Sequence, residues 1–111
     1  MAHIAFNRSL VEDTVPDIRL TRARDGQSGT ATFRFTESKL LAADNTEEIT
    51  GLYLVDEEGE IVTREVKGKY VNGRISALEG LLVIQDQGEW DRFWRFMERY
   101  GPEHGLEFNK A

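Results

Sequence analysis

Two glycine-containing breaks constrain the fold of this chain more than any other feature of its sequence. Residues 49–84 are rich in strand-forming side chains, and this run is interrupted by "DEEGE" at 56–60 and by "NG" at 72–73. Glycine tolerates the positive φ of a short hairpin loop, and Asn-Gly between strand-like arms is a strong hairpin signal. Residues 49–84 are therefore predicted to form a three-stranded antiparallel meander, with residues 52–55 in a central strand that is covered on both faces.

The middle strand of this meander, "IVTREVKGKYV", is unusually charged. It contains four charged side chains in eleven residues: Arg64, Glu65, Lys67 and Lys69. Charges on both faces of a strand are incompatible with burial of either face. The 67–71 end is therefore predicted to project beyond the core, where its lysines would oppose unwanted pairing with other strands.

A second hairpin is predicted near the start of the chain, after a short first strand at residues 3–6. Its arms are "IRLTRAR" (18–24) and "TATFRFT" (30–36), joined by a glycine-containing loop. The second arm alternates apolar and polar residues, with its apolar side chains at Ala31, Phe33 and Phe35. This period of two is typical of a half-buried strand. In the first arm, Ile18 and Leu20 are predicted to point inward.

One amphipathic helix is predicted near the end of the chain. A helical face with spacing i, i+3, i+4, i+7 is formed by Trp90, Phe93, Trp94 and Met97, and widened by Phe96 and Tyr100. Asp86, followed three residues later by Glu89, resembles a capping box, and Gly101-Pro102 is predicted to stop or kink the helix. A shorter helical segment capped by Ser38 is predicted within "ESKLLAADN" (37–45).

These elements predict an α+β fold. A mainly antiparallel twisted sheet, made of the N-terminal hairpin and the meander, packs against the C-terminal helix, with a short helix between hairpin and meander. A chain of 111 residues is expected to form a single domain, residues 1–111.

Composition excludes several classes of function. Twenty acidic and fourteen basic residues give a net charge of −6, which disfavours nucleic acid as a partner. The chain has no cysteine, so a thiolate metal site and a cysteine nucleophile are excluded. The start of the chain does not resemble a secretory signal, and after residue 75 the longest apolar run is 81–84, far short of a membrane span. Any membrane association is expected to be peripheral.

The carboxylates of the first break allow two interpretations. Four acidic side chains lie within five residues: Asp56, Glu57, Glu58 and Glu60. Such a cluster suits a metal ion or acid/base chemistry, but it also suits the solvated tip of a hairpin. A calcium loop needs a longer alternation of oxygen ligands and flanking helices, which the sequence lacks. The turn is the favoured interpretation, and His3 and His104 are expected at the surface.

Three arginines form a basic stretch in an acidic protein. Arg19, Arg22 and Arg24 are separated only by Leu20, Thr21 and Ala23. They are either a solvated strand face or a docking site for acidic side chains or a chain terminus. This feature indicates binding rather than catalysis.

Three long stretches together resemble a known family. These are "RLTRARDGQSGTATFRF" (19–35), "EEITGLYLVDEEGEIVTREVKGKYVNG" (47–73) and "EWDRFWRFMERYGPEHGLEF" (89–108), and together they span most of the chain. They are similar to the small photosystem II reaction-centre protein family Psb twenty-eight of cyanobacteria and plastids.

The resemblance implies a non-catalytic assembly factor. Members of that family associate transiently with photosystem II intermediates at the cytosolic or stromal face of the thylakoid. They lie near the chlorophyll-carrying inner antenna subunit and the reaction-centre core, and they bind no pigment of their own. The resemblance therefore implies no cofactor, membrane association only through protein partners, and a protein that is soluble when unbound.

The strand pattern, not the resemblance, supplies the expected binding residues. A terminal segment of the antenna subunit is expected to pair with an exposed sheet edge. The expected flanking residues are Arg19, Arg22, Arg24, Lys67, Lys69 and Tyr70. Two alternatives stay open: a small acid/base or metal-dependent enzyme using the 56–60 carboxylates with a histidine, and a homodimer that pairs through its sheet edges.

Overall fold

Two antiparallel sheets and one helix make up the fold. The structure, a computed structural model, describes residues 1–42 and 44–106. In this part of the chain the strands are β1 (His3–Asn7), β2 (Leu10–Glu12), β3 (Asp17–Arg22), β4 (Gly29–Phe35), β5 (Leu52–Asp56), β6 (Gly59–Thr63), β7 (Val66–Val71) and β8 (Arg74–Ile84). A 3₁₀ turn spans Lys39–Leu41, and the helix α1 spans Gln87–His104.

The predicted α+β class is confirmed. Sheet A has the strand order β2-β1-β5-β6, and sheet B has the order β3-β4-β8-β7, with every strand pair antiparallel. The short helix expected between the hairpin and the meander is the 3₁₀ turn, whose first residues are capped by Ser38 as predicted.

The prediction that residues 49–84 form a single three-stranded meander is wrong. Its middle run breaks at Arg64 and Glu65, so that β6 pairs with β5 in sheet A while β7 pairs with β8 in sheet B. No glycine or proline stands at positions 64–65, so the sequence carries no turn signal at this change of sheet. A Cβ on Gly80 would lie 2.5 Å from Leu52 Cδ2, and glycine therefore lets the two sheets approach closely at this point.

The N-terminal hairpin and the first strand form as predicted, whereas β2 was not foreseen. The inward side chains of β4 are fully buried: Ala31, Phe33 and Phe35. Leu20 faces the inner side with its partner Ala31, as predicted, but it remains 40% exposed. Since β3 is an edge strand, the core does not extend over this position.

One hydrophobic core takes side chains from both sheets and from the helix. Phe6 of sheet A packs edge-on against Phe35 of sheet B, with their ring centroids 4.9 Å apart. Phe33 of sheet B packs in the same way against Phe93 of the helix, at 6.2 Å. Such aromatic pairs join the three layers through contacts between complementary ring edges and faces.

The helix starts as predicted but ends later. The Asp86 carboxylate accepts the Glu89 N–H (2.9 Å), while the Glu89 carboxylate accepts the N–H of Gln85 (2.7 Å). Pro102 does not stop the helix, because a proline in the last turn removes only one backbone hydrogen bond. The helix ends at Gly105, which adopts the left-handed conformation with φ +71°.

Candidate partner-binding surfaces and the carboxylate turn

The turn between β5 and β6 is confirmed, but its first residue, Asp56, is buried against the helix, whereas residues 57–60 are exposed. The Asp56 side chain is 0% exposed. Arg92 donates two hydrogen bonds to its carboxylate (2.7 and 2.9 Å), and Arg99 donates a third (2.8 Å). The expectation of a solvated tip is therefore wrong for this residue. Residues 52, 54 and 56 share one face of β5, so the strand that buries two leucines also points Asp56 at the helix.

Glu58 extends the same network. Arg95 donates two hydrogen bonds to its carboxylate (2.8 and 2.9 Å), and Arg99 bridges it to Asp56 at 2.6 Å. The three arginines stand at i, i+3 and i+7, so they form one stripe along the helix. The spacing of these arginines is visible in the sequence, but no local pattern shows that their partners lie on a distant turn.

The network holds both carboxyl groups ionised. Burial of Asp56 raises its pKa, but the hydrogen bonds from Arg92 and Arg99 and from the Glu58 N–H together outweigh burial and lower the pKa to about 2. Hydrogen bonds from Arg95 and then Arg99 lower the pKa of Glu58 to about 2. Carboxylates whose oxygens are occupied by guanidinium groups are poor proton acceptors at neutral pH. The arrangement anchors the turn to the helix.

The histidine that the enzyme hypothesis requires is engaged elsewhere. His104 stacks on Tyr100, with ring centroids 4.1 Å apart, and its Nε2 lies 3.2 Å from the Ala2 carbonyl oxygen. Within residues 1–42 and 44–106, no three histidine, aspartate or glutamate side chains are grouped so that they could hold a metal ion. The 56–60 carboxylates and His104 therefore do not form one site.

Strand β7 presents three of the six predicted binding residues along an edge of sheet B. Tyr70 is 68% exposed and the neighbouring Val71 is 60% exposed. Lys67 opposes Glu79 of β8, and the Lys69 ammonium lies 3.6 Å from the Glu79 carboxylate. The predicted exposure of this end of the strand is confirmed. A register shift between Lys69 and Tyr70 is the kind of irregularity that limits edge-to-edge aggregation.

The three arginines do not form one patch. Arg19 opposes Thr32 on the outer face of sheet B, whereas Arg22 points to the inner face, where its guanidinium carbon lies 4.6 Å from the centroid of the Trp90 ring. Arg24 follows β3 in the loop before β4. Odd and even residues of a strand point to opposite faces, so residues 19 and 22 are separated by the sheet itself.

The six predicted residues therefore lie at two opposite edges. Strands β3 and β7 are the outer strands of sheet B, three strand spacings or about 14 Å apart. A single docked strand contacts only one of these edges. The structure thus separates the arginine group from the group of Lys67, Lys69 and Tyr70.

A polar groove on the outer side of sheet A was missed by the sequence analysis. Tyr53 belongs to the strand that was predicted to be covered on both faces, but its hydroxyl group lies 2.7 Å from Thr50 Oγ1 and accepts a hydrogen bond from Arg64 (2.6 Å). The guanidinium carbons of Arg8 and Arg64 lie 5.0 and 5.5 Å from the Tyr53 ring centroid. Nothing in the local pattern joins these residues, because Arg8 and Arg64 are distant in sequence from each other.

Comparison with known proteins assigns the chain to a family. The family model described as "Psb28 protein" matches residues 4–108. A protein of Crocosphaera subtropica named "Photosystem II reaction center Psb28 protein" is 60% identical over 100% of both chains. The chain belongs to the Psb28 family.

Two further relatives have the same name. The protein of Gloeothece citriformis is 60% identical over 100% of both chains, and that of Synechocystis sp. is 54% identical over 100% of this chain and 99% of its own length. The family resemblance seen in the sequence is thus confirmed. In the part of the chain that the structure describes, no helix combines the length and apolar composition needed to cross a bilayer.

Proposed function

We propose that this chain is a non-catalytic assembly factor that binds transiently to photosystem II assembly intermediates. Its full-length relatives are named photosystem II reaction center proteins, which supports an association with that complex. In the carboxylate cluster, which was the best candidate for chemistry, Asp56 and Glu58 are bound by three arginines of the helix, and Glu60 is bound by Arg8. Its role as an anchor favours binding over catalysis.

The proposed location is the cytosolic or stromal face of the thylakoid membrane, near the inner antenna subunit and the reaction-centre core. Cytoplasmic segments of membrane proteins carry an excess of lysine and arginine. A partner with net charge −6 is electrostatically suited to such a surface. The chain is proposed to reach the membrane through these protein partners.

The proposed dock is the β7 edge of sheet B, and its exposure is the observation that carries the proposal. An edge strand offers unpaired N–H and C=O groups to an extended segment, and backbone hydrogen bonds then supply affinity. Tyr70 and Val71 add exposed apolar surface to this edge. Lys67 and Lys69 favour a segment that carries acidic side chains. The proposed occupant is a terminal segment of the antenna subunit.

Co-purification from solubilised thylakoids tests this proposal. Tagged wild-type protein is expected to recover photosystem II that lacks its mature oxygen-evolving parts. A Lys67→Glu/Lys69→Glu variant is expected to recover much less, because two repulsive charges replace two attractive ones at the dock. An Arg19→Glu/Arg24→Glu variant reverses the same number of charges at the opposite edge of the sheet and is the matched control.

Three results would contradict the proposal in different ways. Failure of the wild-type protein to recover photosystem II, under conditions that preserve its intermediates, contradicts the function. If only the control variant fails to recover photosystem II, the dock is at β3 instead of β7. Light scattering that shows a stable dimer of the free protein, together with failure to recover photosystem II, favours the homodimer alternative.

A further inference from the structure

The groove beside Tyr53 contains a guanidinium group, that of Arg64, which is fixed in place and forms no ion pair with any residue that the structure describes. The groove has a volume of about 590 Å³, and its lining includes Arg8, Glu47, Glu48, Thr50, Tyr53 and Arg64. Arg64 Nη1 donates to the Thr50 carbonyl oxygen (2.7 Å) and to the Tyr53 hydroxyl oxygen (2.6 Å). Both acceptors are uncharged, and within the described ranges no carboxylate lies within 4.0 Å of this guanidinium.

Arg8 provides the contrast in the same groove. Its guanidinium donates to both oxygens of Glu60, at 3.0 to 3.3 Å, so its charge is largely compensated. Arg64 is held in one orientation by neutral oxygens, and two of its nitrogens are not used in those bonds. A guanidinium that is already oriented loses little conformational entropy when it binds a carboxylate.

The region around the Tyr53 hydroxyl favours negative charge. The pKa of Tyr53 is lowered, first by the hydrogen bond with Thr50 and then by the hydrogen bond from Arg64, and the charges of Arg64 and Arg8 act in the same direction. A carboxylate placed beside Arg64 would be stabilised mainly by the charge of Arg64. This wall of the groove is therefore suited to an anion.

The other wall has the opposite sign. Glu47 and Glu48 line the groove with exposed side chains, and neither forms an ion pair with another described residue. The backbone around them is fixed, because the Glu48 carbonyl oxygen accepts a hydrogen bond from Asn7 Nδ2 (2.8 Å) and the Glu47 N–H donates to Asn45 (3.1 Å). A polyanion is disfavoured here, whereas an occupant with both signs of charge matches both walls.

We infer that this groove binds a peptide segment of the partner that places an acidic side chain against Arg64 and a lysine or arginine against Glu47 and Glu48. The inference deepens the proposed function and rests on it for the identity of the partner. It adds to the β7 edge of sheet B a second site for acidic groups, which lies on sheet A.

A titration followed by NMR tests the site with the isolated, isotope-labelled chain. The probe is the capped peptide acetyl-Ala-Glu-Ala-Lys-Ala-amide, compared with analogues in which glutamine replaces its glutamate or its lysine, and with sodium acetate. The parent peptide is expected to shift the backbone signals of Ser9, Thr50, Tyr53 and Arg64 saturably. Both analogues and acetate are expected to bind more weakly.

Variants on each wall identify the groups responsible. Arg64→Gln keeps an amide donor but removes the charge, and it is expected to weaken binding of the parent peptide about tenfold or more. Arg24→Gln removes an arginine from the loop before β4 and is expected to leave binding unchanged. If Arg64→Gln fails to fold, the Glu47→Gln/Glu48→Gln variant decides the question, since it should selectively weaken the lysine-containing peptides.

Several outcomes would overturn the inference. These are acetate binding as tightly as the parent peptide, unchanged affinity in Arg64→Gln, or signal shifts confined to other parts of the chain. Co-purification separates this failure from failure of the proposed function. If the wild-type protein recovers photosystem II and Arg64→Gln recovers it equally well, the groove is not a contact in the complex, while the proposed function stands.

Discussion

The two hairpin turns that divide residues 49–84 look alike in sequence but differ in their surroundings. The β5–β6 turn is held against the helix through Asp56 and Glu58. The β7–β8 turn stands in solvent, with Asn72 and Gly73 at φ +52° and +79° and exposed side chains on either side. Both turns are specified by local backbone chemistry. Only the elements packed against them distinguish an anchor from a free surface.

Loss of the Asp56 carboxylate tests the anchored turn most severely. Asp56→Ala removes the buried carboxylate that Arg92 and Arg99 share and leaves them only Glu58, which is more exposed. Removing one member of a buried ion-pair network is strongly destabilising. We expect the free energy of unfolding to fall by about 3 kcal/mol, measured by urea denaturation. Glu57→Ala, at the adjacent exposed position, is the control and should change it by less than about 0.5 kcal/mol. Equal effects of the two variants would contradict the distinction.

Acid should weaken the anchored turn selectively. The folded-state pKa values of Asp56 and Glu58 are about 2, below their ordinary values of 3.8 and 4.5. A lowered folded-state pKa contributes stability above the ordinary value, and this contribution is lost as the pH falls through the ordinary value toward the folded one. The wild type should therefore lose its stability advantage over an Asp56→Ala/Glu58→Ala variant as the pH falls from about 5 to about 2.

Urea denaturation of both proteins at several pH values measures this advantage. The difference in their free energies of unfolding should be constant between neutral pH and about pH 5, then shrink. A difference that stays constant down to about pH 2 would show that the two carboxylates do not titrate with folding.

The end of β7 that leads into the free turn should tolerate substitution with almost no loss of stability. Tyr70 is 68% exposed, so Tyr70→Ala is expected to change the free energy of unfolding by less than about 0.5 kcal/mol. Recovery of photosystem II should nevertheless fall, because the variant removes exposed aromatic surface from the proposed dock. A large loss of stability would show that Tyr70 contributes to folding, and it would contradict the difference proposed between the two turns.

Local patterns in the sequence predicted much of the fold for identifiable reasons. The alternation in β4, the aromatic face of the helix and the Asn-Gly turn each depend on residues close together in the chain. The exposed 67–71 end of β7 was predicted from the charged side chains of residues 61–71. These features follow from backbone geometry and hydrophobic periodicity, which act over a few residues.

The candidate sites required contacts that no local pattern encodes. Asp56 was expected in solvent because acidic residues in a turn usually are, yet its partners lie on the helix 36 and 43 residues later. Leu20 points to the inner face as expected but is not fully buried. The pattern shows which face a side chain occupies, but it does not show how far the core extends. The groove at Tyr53 joins Arg8 and Arg64 in the same way.

Local patterns were thus sufficient to predict the helix, most of the strands, the buried faces of β4 and the helix, the two glycine turns and the family. Long-range contacts place β6 and β7 in different sheets, divide the six predicted binding residues between two edges, and make Asp56 and Glu58 an anchor. Propensity and periodicity act along the chain. Sheet membership and ion pairing depend on which distant segments meet when the core closes.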